Sequence, residues 1–516
     1  MKEARSKLRR LHLLPTGAQF RIYRRSIDAR RRDAVKIVYS VAVCGEFSSP
    51  DTAFLEKNDI SVLRSDRPSF TPKSSAPLNA APIVVGTGPA GLFCALLLAE
   101  NGYRPIVLER GGDIAERVSK IDAFKRSRLL DPETNIQFGA GGAGTFSDGK
   151  LVTRINDPLS LYVLERFVEF GAPEEILYLA KPHIGTDYLQ IVVERMLDRI
   201  EALGGLVYFH NRLEQISLRE GAVGSVMTTL GEMPAGALVL ATGHSARDTY
   251  RMLMKSGLSV VPKPYSVGMR IEHLQEEIDA AMYGSFAGHP ALGHAEYALS
   301  HNTKQRGVYT FCMCPGGQVV AAASTPDSVV VNGMSHHARD GKNANSAIVV
   351  SVFCEDYGNT PEGAIALQEK IEHDAFLAGG ADYAAPLTTV GDLHSGEHRT
   401  HPTRVRPTYM DGEYYRLCSP HLFLPDFAAN GIRDALPAFG RKIHGFDTPY
   451  AVLTGAETRT SAPVRILRDD ARLAVGTHNV YPCGEGAGYA GGITSAAIDG
   501  IRTALSIMEK HGPSLN

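Results

Sequence analysis

The segment from Ala81 to Gly91 constrains the fold of this 516-residue chain more than any other. A short apolar run leads into a glycine turn at Gly86, Gly88 and Gly91, an apolar helix follows, and a second apolar run ends at Glu109. Gly86 permits a tight turn, Gly88 lets the backbone approach a pyrophosphate, and Gly91 lets the helix pack closely on its strand. The pattern predicts a strand-helix-strand unit that binds a dinucleotide.

The acid at the end of the second strand narrows the choice of ligand. Glu109 follows Gly91 by 18 positions, where a carboxylate can accept hydrogen bonds from both hydroxyls of an adenosine ribose. The phosphates are expected at the N-terminus of the helix that begins near Pro89 and Ala90. The sequence therefore predicts an unphosphorylated ribose, as in FAD or NAD.

Two later apolar strands, within residues 238–243 and 479–488, also end in glycine-rich turns. A helix is predicted to follow the second turn. This set resembles the two-dinucleotide-binding-domain flavoproteins. In that superfamily the acid of a C-terminal Gly-Asp turn holds the ribityl chain of FAD, and the next helix faces the flavin pyrimidine ring; here a glutamate replaces the aspartate. The resemblance implies FAD binding by Ala241, Thr242, Gly243, Gly484, Glu485, Gly491, Gly492 and Ile493.

The glycine loop between residues 139 and 150 makes the resemblance more specific. It is similar to the signature of a bacterial group of uncharacterised FAD-dependent dehydrogenases, and segments 266–273, 312–317, 331–335 and 457–465 match the same group. No apolar strand precedes this loop, so a second dinucleotide fold is not expected there. The predicted FAD-binding set is completed by Arg110, Gly141, Gly142, Thr145 and Ser147.

Alternation of strands and helices predicts an α/β fold: a Rossmann-like FAD-binding domain with an inserted α+β substrate domain and a small N-terminal α+β appendage. In the appendage, Ser26 is predicted to cap a helix ahead of a strand at residues 35–43. The predicted division is an appendage over 1–64, a Ser- and Pro-rich linker over 65–80, an FAD-binding domain over 81–262 and 463–516, and the inserted domain over 263–462.

Composition limits the partners of the chain. The net charge is −2, which gives no overall attraction to nucleic acid or to an anionic membrane, although residues 1–36 carry 12 Lys and Arg against 3 Asp and Glu. No apolar run is long enough for a membrane helix, and no apolar stretch follows the basic N-terminus as in a signal peptide. Seven cysteines without regular spacing favour a reducing compartment, so a cytoplasmic location is expected. No histidine or cysteine spacing predicts a metal site.

Three residues are predicted to take part in catalysis near the flavin. Lys150 ends the glycine loop, His244 follows the Ala-Thr-Gly turn, and Arg270 is placed to hold a substrate carboxylate, unless it pairs with Glu272 on the same strand face. Cys312 and Cys314 are two residues apart, a spacing that strains a disulfide in a regular strand, and they are expected to be structural thiols.

The leading hypothesis is an FAD-dependent oxidoreductase that exchanges a hydride between the flavin and a small molecule, with the clustered cations favouring an anionic substrate. Only one convincing dinucleotide site is present, so NAD(P)H or another electron donor or acceptor would dock transiently. Two alternatives remain open: a flavin-dependent enzyme that modifies tRNA, and a flavin-binding regulatory protein without turnover.

Overall fold

The computed structural model describes residues 1–47, 51–63, 68, 70–153, 157–303 and 306–514. Part of the predicted linker, at 65–67 and 69, lies outside the described residues. The N-terminal part is a short helix and an antiparallel hairpin followed by one further helical turn. Its elements are α1 (Lys2–Arg10), β1 (Gln19–Asp28), β2 (Lys36–Cys44) and α2 (Thr52–Lys57).

The predicted helix start at Ser26 is wrong. Ser26 lies in β1, opposite Val38 of β2, and Ile27 lies opposite Ile37. The capping preference of one serine is weak. The backbone hydrogen bonds between β1 and β2, together with the β-branched residues of β2, outweigh it.

The nucleotide-binding half alternates strands and helices up to residue 255, with a three-stranded antiparallel sheet inserted before the fourth strand of its parallel sheet. Its elements are β3 (Pro82–Val85), α3 (Pro89–Glu100), β4 (Ile106–Leu108), α4 (Ile114–Ser127), α5 (Leu159–Glu169), α6 (Thr186–Ala202), β5 (Leu206–Tyr208), β6 (Leu213–Arg219), β7 (Ala222–Thr228), β8 (Gly231–Pro234), β9 (Ala237–Leu240) and α7 (Arg247–Lys255).

The second half is dominated by longer antiparallel strands and two long helices, and the chain then returns to the first sheet. Its elements are β10 (Val260–Pro262), β11 (Tyr265–Leu274), α8 (Gln275–Tyr283), β12 (Ser300–Asn302), β13 (Gly307–Cys314), β14 (Gln318–Ala321), β15 (Val331–Met334), β16 (Asn343–Val352), α9 (Pro361–Ala378), β17 (Ala385–Thr389), α10 (Val390–Ser395), β18 (Tyr415–Leu417), α11 (Asp426–Lys442), β19 (Val452–Glu457), β20 (Val464–Ile466), β21 (Val480–Pro482) and α12 (Ile493–Lys510).

The first sheet is parallel, in the order β21-β9-β3-β4-β5. Every residue of β3 and β9 is buried, as expected for central strands covered on both faces. Helix α3 is apolar around nearly its whole circumference, because it lies between this sheet and α12. The return of β21 beside β9 adds residues 480–482 to the sheet, so the turn that follows them lies beside the turn that follows β9.

The second sheet has seven strands in the order β12-β13-β16-β11-β19-β17-β18 and is antiparallel except for the β17-β18 pair. Strands β11 and β16 pair over ten residues, from Tyr265 opposite Val352 to Leu274 opposite Asn343. Helix α11 packs against β16 and buries Ile432, Leu436 and Phe439 in the core of this half. The fold is the predicted α/β arrangement, with a Rossmann-like half and a sheet-based second half. Within the described ranges, no helix is long and apolar enough to cross a membrane.

Candidate active site

A cavity of about 600 Å³ opens where the carboxyl ends of β3, β4, β9 and β21 face the second sheet. Ligands of open α/β sheets bind at this edge, because the loops that follow the strands meet there. Most of the predicted cofactor and catalytic residues lie on its wall. They are Gly86, Gly88, Pro89, Ala90, Glu109, Arg110, Gly142, Ser147, Lys150, Ala241, Thr242, Gly243, His244, Glu485, Gly491, Gly492 and Ile493.

The first glycine turn has the backbone geometry that its sequence predicts. Gly86 has a φ of 101°, and a Cβ there would lie 2.4 Å from the carbonyl oxygen of Ala241. A Cβ on Gly91 would lie 1.9 Å from the carbonyl oxygen of Gly86, so this glycine permits helix packing. A Cβ on Gly88 would meet no protein atom within 4 Å and would instead project into open space at the N-terminus of α3. That space is where the peptide dipoles favour a phosphate.

Glu109 and Arg110 leave β4 at the rim of the cavity. The Glu109 carboxylate accepts hydrogen bonds from the backbone N–H and hydroxyl of Thr87 and from the backbone N–H groups of Gly111 and Gly139. Arg110 pairs with Glu133 and Asp248 at 2.7 and 2.8 Å. Burial opposes ionisation of Arg110, but these two carboxylates raise its pKa. Glu109 therefore joins the two glycine loops, and Arg110 is a fixed cation beside them.

Two buried polar groups on the cavity wall have no hydrogen-bond partner among the described residues. They are the hydroxyl of Thr242 and the side-chain N–H₂ of Asn211. An unsatisfied buried donor costs about 1–3 kcal/mol, so such groups at a cavity wall indicate a bound ligand. Together with the open space at Gly88, Gly491 and Gly492, they fit a dinucleotide that carries both phosphates and polar ring edges.

The turn after β21 supplies the acid of the second cofactor segment. Glu485 accepts a backbone hydrogen bond from Gly492, which caps the N-terminus of α12. Burial raises the pKa of Glu485 to about 7, although the charge of Lys263 acts in the opposite direction. The cavity wall here combines a carboxyl group near its titration point with the positive end of a helix dipole.

Lys150 lies at the other end of the cavity within a cluster of charged side chains. Its ammonium donates to Asp148 at 2.6 Å, and Asp148 also accepts from Arg339 at 2.6 Å and from the hydroxyl of Ser335. Burial opposes ionisation of Asp148, but the charges of Lys150 and Arg339 outweigh it and lower the Asp148 pKa. Asp148 in turn raises the pKa of Lys150, so both groups stay ionised at neutral pH.

His244 lies beside a second cluster, built around the fully buried carboxylate of Glu372. Arg247 and Arg459 both pair with Glu372, at 2.5 and 3.0 Å. Burial and then the charge of Arg459 lower the pKa of His244 to about 3. His244 is therefore neutral near pH 7, and its Nδ1 lies 2.9 Å from the hydroxyl of Ser245.

The expectation for Arg270 requires a correction. Its guanidinium is fully buried outside the cavity wall and pairs with Glu457 of β19, at 2.9 Å from Nε and 3.1 Å from Nη2. Its remaining donors contact the side chains of Asn345 and Asn332 and the carbonyl of Cys312. Arg270 therefore has no free donor for a substrate carboxylate. Glu272, its expected alternative partner, instead accepts from Thr408 and Asn343.

Four other predicted residues also lie off the cavity wall. Gly91 and Gly484 are packing positions, with a Cβ on Gly484 placed 2.6 Å from the Ala90 side chain. Gly141 and Thr145 border a separate space of about 20 Å³ behind the glycine loop. A Cβ on Gly141 would lie 2.1 Å from the Thr145 hydroxyl, so these two residues support the loop from behind.

Several wall residues have no signal in the sequence, because they come from strands and loops that meet only in the folded chain. Asn211 and Arg212 follow β5, and Thr310 lies in β13 of the second sheet. Among the described residues, no group of three or more His, Cys, Asp or Glu side chains has the arrangement of a metal site. The further wall residues include Thr87, Gln137, Phe138, Glu296, Tyr297, Phe311, Asn332, Glu457, Arg459 and Thr460.

Comparisons with known proteins establish the family. The chain is 44% identical over 492 residues to a Clostridium beijerinckii protein described only as uncharacterised, covering 95% of this chain and 92% of that protein. Residues 264–460 match the C-terminal domain-like model of FAD-dependent proteins. The chain belongs to this family of FAD-dependent proteins. Residues 84–149 match an NAD(P)-binding Rossmann-like domain, and residues 5–44 match a domain of unknown function. The cofactor is FAD, and the protein is an FAD-dependent oxidoreductase.

Two solved structures align with most of the chain at low sequence identity. L-amino acid deaminase from Proteus vulgaris, with its specific insertion deleted, aligns with 86% of this chain and 93% of its own at 10% identity and a TM-score of 0.35. Glycine oxidase from Bacillus cereus aligns with 85% of this chain and 99% of its own at 11% identity and a TM-score of 0.35.

Proposed function

We propose that this FAD-dependent oxidoreductase exchanges a hydride between the flavin and a small anionic molecule held near Lys150. The observation that carries the proposal is the charge at that end of the cavity. Lys150, Lys181 and Arg339 are three cations grouped with two carboxylates, Asp148 and Glu296. One positive charge is left over.

The neighbouring cluster adds a second positive charge, because Arg247 and Arg459 share the single carboxylate of Glu372. A ligand that enters between the clusters therefore meets an excess of positive charge, and attraction to charges beside buried protein groups is stronger than in bulk solvent. Lys150 is suited to contact the ligand directly. Its ammonium has three N–H donors, and Asp148 is its one hydrogen-bonding partner among the described residues.

The proposed FAD site runs from the first glycine turn to the N-terminus of α12. Glu109 and Asn211 would hold the adenosine end, Gly88 the pyrophosphate, and Glu485 with Gly492 the flavin end. When bound, the flavin supplies the hydride chemistry, and the protein supplies position, charge and exclusion of water. We assign FAD binding to residues 81–262 and 463–516, and we propose that residues 263–462 form the substrate side of the cavity together with Lys150.

The test is reduction of the bound flavin under anaerobic conditions. Purified protein is mixed with NADH, NADPH and a panel of small carboxylates and phosphates, each paired with its neutral ester, while the visible flavin absorbance is recorded. We expect at least one anion to bleach the flavin and its neutral ester to fail. Equal bleaching by an acid and its ester would contradict the proposed anion site.

A matched pair of lysine variants separates binding from folding. Lys150→Met should keep FAD but slow bleaching at subsaturating anion by about 10- to 100-fold, the effect of losing one charge-assisted hydrogen bond. Lys120→Met is the control. Lys120 also pairs with a carboxylate, Asp131, at 3.0 Å, but neither residue lines the cavity. If the anion bleaches the flavin of both variants at the wild-type rate, Lys150 does not bind the substrate.

A further inference from the structure

Two cysteines lie beside the cavity and are not used by the proposed hydride transfer. Cys312 lines the cavity wall near the end of β13, and Cys314 is fully buried two residues later. Both are free thiols. Cys312 is therefore accessible to a ligand in the cavity, and Cys314 is protected from it.

The backbone at these cysteines departs from a regular strand. In a regular strand, residues two apart are about 7 Å apart along the chain, which is too far for an unstrained disulfide. Here the pairing of β13 with β16 shifts register between Phe311 and Cys314, and Cys312 has a φ of 46°. This bulge turns the Cys314 thiol back towards Cys312, so that its sulfur lies 3.4 Å from the Cys312 carbonyl oxygen. The expectation of an unfavourable strand spacing therefore does not apply.

The charges around the pair make the two thiols unequal. The hydrogen bond from Cys314, followed by the charges of Lys150 and Arg270, lowers the pKa of Cys312, while the same hydrogen bond and burial raise the pKa of Cys314. Arg270 also donates to the Cys312 carbonyl at 3.2 Å and lies 4.0 Å from the Cys314 sulfur. The charged groups that act on Cys312 are Lys150, Arg270, Asp148, Glu457 and Glu485.

We propose that Cys312 and Cys314 form a thiol–disulfide exchange centre that acts on small disulfides entering the cavity. The Cys312 thiolate attacks one sulfur of the substrate, the substrate S–S bond breaks, and the departing thiolate takes up a proton. The Cys314 thiol then loses its proton and attacks the Cys312 sulfur, which releases the second half of the substrate as a thiol. The substrate disulfide gains two electrons, and the cysteine pair loses two as it becomes a disulfide.

The geometry supports this order of attack. Cys312 lines the cavity and is the more acidic thiol, which suits the nucleophile, whereas Cys314 is buried on the same bulge with its thiol directed at the Cys312 backbone, which suits the resolving thiol. The exchange does not require a reduced flavin. Its failure and the failure of the proposed hydride transfer can therefore be told apart.

The test treats the purified, FAD-containing protein with glutathione disulfide and maps its peptides without reduction. In the wild type, we expect the peptide with both cysteines to lose two hydrogens. In Cys314→Ser, the reaction should stop at one glutathione bound to Cys312, and in Cys312→Ser neither product should form. Cys354→Ser should match the wild type, because Cys354 lies next to Tyr357 and away from the cavity wall.

A second measurement needs no variant and so does not depend on folding of the mutants. Iodoacetamide is added to the wild type at pH 6, and alkylation of Cys312 is compared with that of the exposed Cys44. We expect Cys312 to react at least about tenfold faster, because the thiolate is the reactive form. If Cys44 is alkylated first, or if glutathione disulfide modifies Cys44 and leaves Cys312 and Cys314 as free thiols, the proposal is wrong.

Discussion

The buried carboxylate of Glu372 joins the two halves of the molecule, and its loss has a predictable cost. Glu372 lies on α9, while Arg247 lies on α7 and Arg459 follows β19. The carboxylate is fully buried and bonds both arginines and the hydroxyl of Thr458. Removing one partner of a buried ion pair costs about 3–5 kcal/mol, because the remaining charge is left without compensation. Glu372→Gln leaves two such cations, so we expect a loss near 5 kcal/mol.

The chain contains a matched control on the same two helices. Glu369 of α9 pairs with Arg251 of α7 through two hydrogen bonds of 2.9 and 2.7 Å, but this pair is partly exposed, with 33% and 42% of the side chains accessible. Exposed pairs contribute about 0–1 kcal/mol. Glu369→Gln therefore makes the same chemical change between the same elements, and we expect a loss of at most about 1 kcal/mol.

The assay is urea denaturation followed by far-ultraviolet circular dichroism and by flavin release. Circular dichroism is used because the chain has no tryptophan whose fluorescence could report unfolding. Equal m-values in the three proteins would show that the variants change the free energy of unfolding and not the surface exposed. A Glu372→Gln variant that is no less stable than Glu369→Gln would refute the argument from buried charge.

The same carboxylate predicts a pH dependence with a definite sign. Burial opposes ionisation of Glu372, but the charges of Arg247 and Arg459 outweigh it and lower the pKa. A lowered folded-state pKa gives stability that is present above the unfolded pKa of about 4.3 and is lost as the pH falls below it. The difference in stability between wild type and Glu372→Gln should therefore be full at pH 7 and shrink below about pH 4. A difference that is constant across this range would contradict the linkage.

Two further variants test the proposed cofactor site. Gly88→Ala should fold, because its Cβ meets no protein atom within 4 Å, yet it should retain less FAD, as measured by the flavin-to-protein ratio after gel filtration; full retention would place the phosphates elsewhere. Glu485→Gln should be more stable than the wild type at pH 8 and lose that advantage towards pH 5, because burial raises the pKa of Glu485 to about 7 and its charged form is disfavoured in the fold. Thermal melts of both proteins without FAD at the two pH values measure this, and an advantage independent of pH would exclude Glu485 as its source.

Local patterns were sufficient to predict β3 and α3. The run into Gly86 predicts β3 and α3 because an apolar strand, a glycine turn and an apolar helix are all encoded within about twenty residues. The same reasoning fails at Ser26, where the decisive interaction is pairing with residues of β2 about ten positions later. Cross-strand pairing is non-local, so a capping residue alone does not reveal it.

At the candidate site, too, local patterns do not predict contacts between residues that are far apart in the sequence. Arg270 and Glu457 are 187 residues apart, and nothing in the sequence around either one identifies the other as its partner. The bulge at Cys312 depends on the register of β13 against β16, which the spacing of two cysteines does not determine. Sequence patterns can therefore identify which side chains carry chemistry, but the folded contacts decide which of them remain available.

That distinction explains why we propose Lys150, among so many cations, as the contact for an anionic substrate. Arg270 is neutralised by Glu457, and Arg110 by Glu133 and Asp248, so neither guanidinium offers charge to the cavity. Arg459 lines the cavity, but its donors are held by Glu372 and Ser324. Lys150 shares its carboxylate with Arg339, and its compact ammonium can turn towards a ligand without breaking that pair. Positive charge in this cavity therefore comes from clusters with fewer carboxylates than cations. Within these clusters, we propose that the Lys150 ammonium contacts the anion.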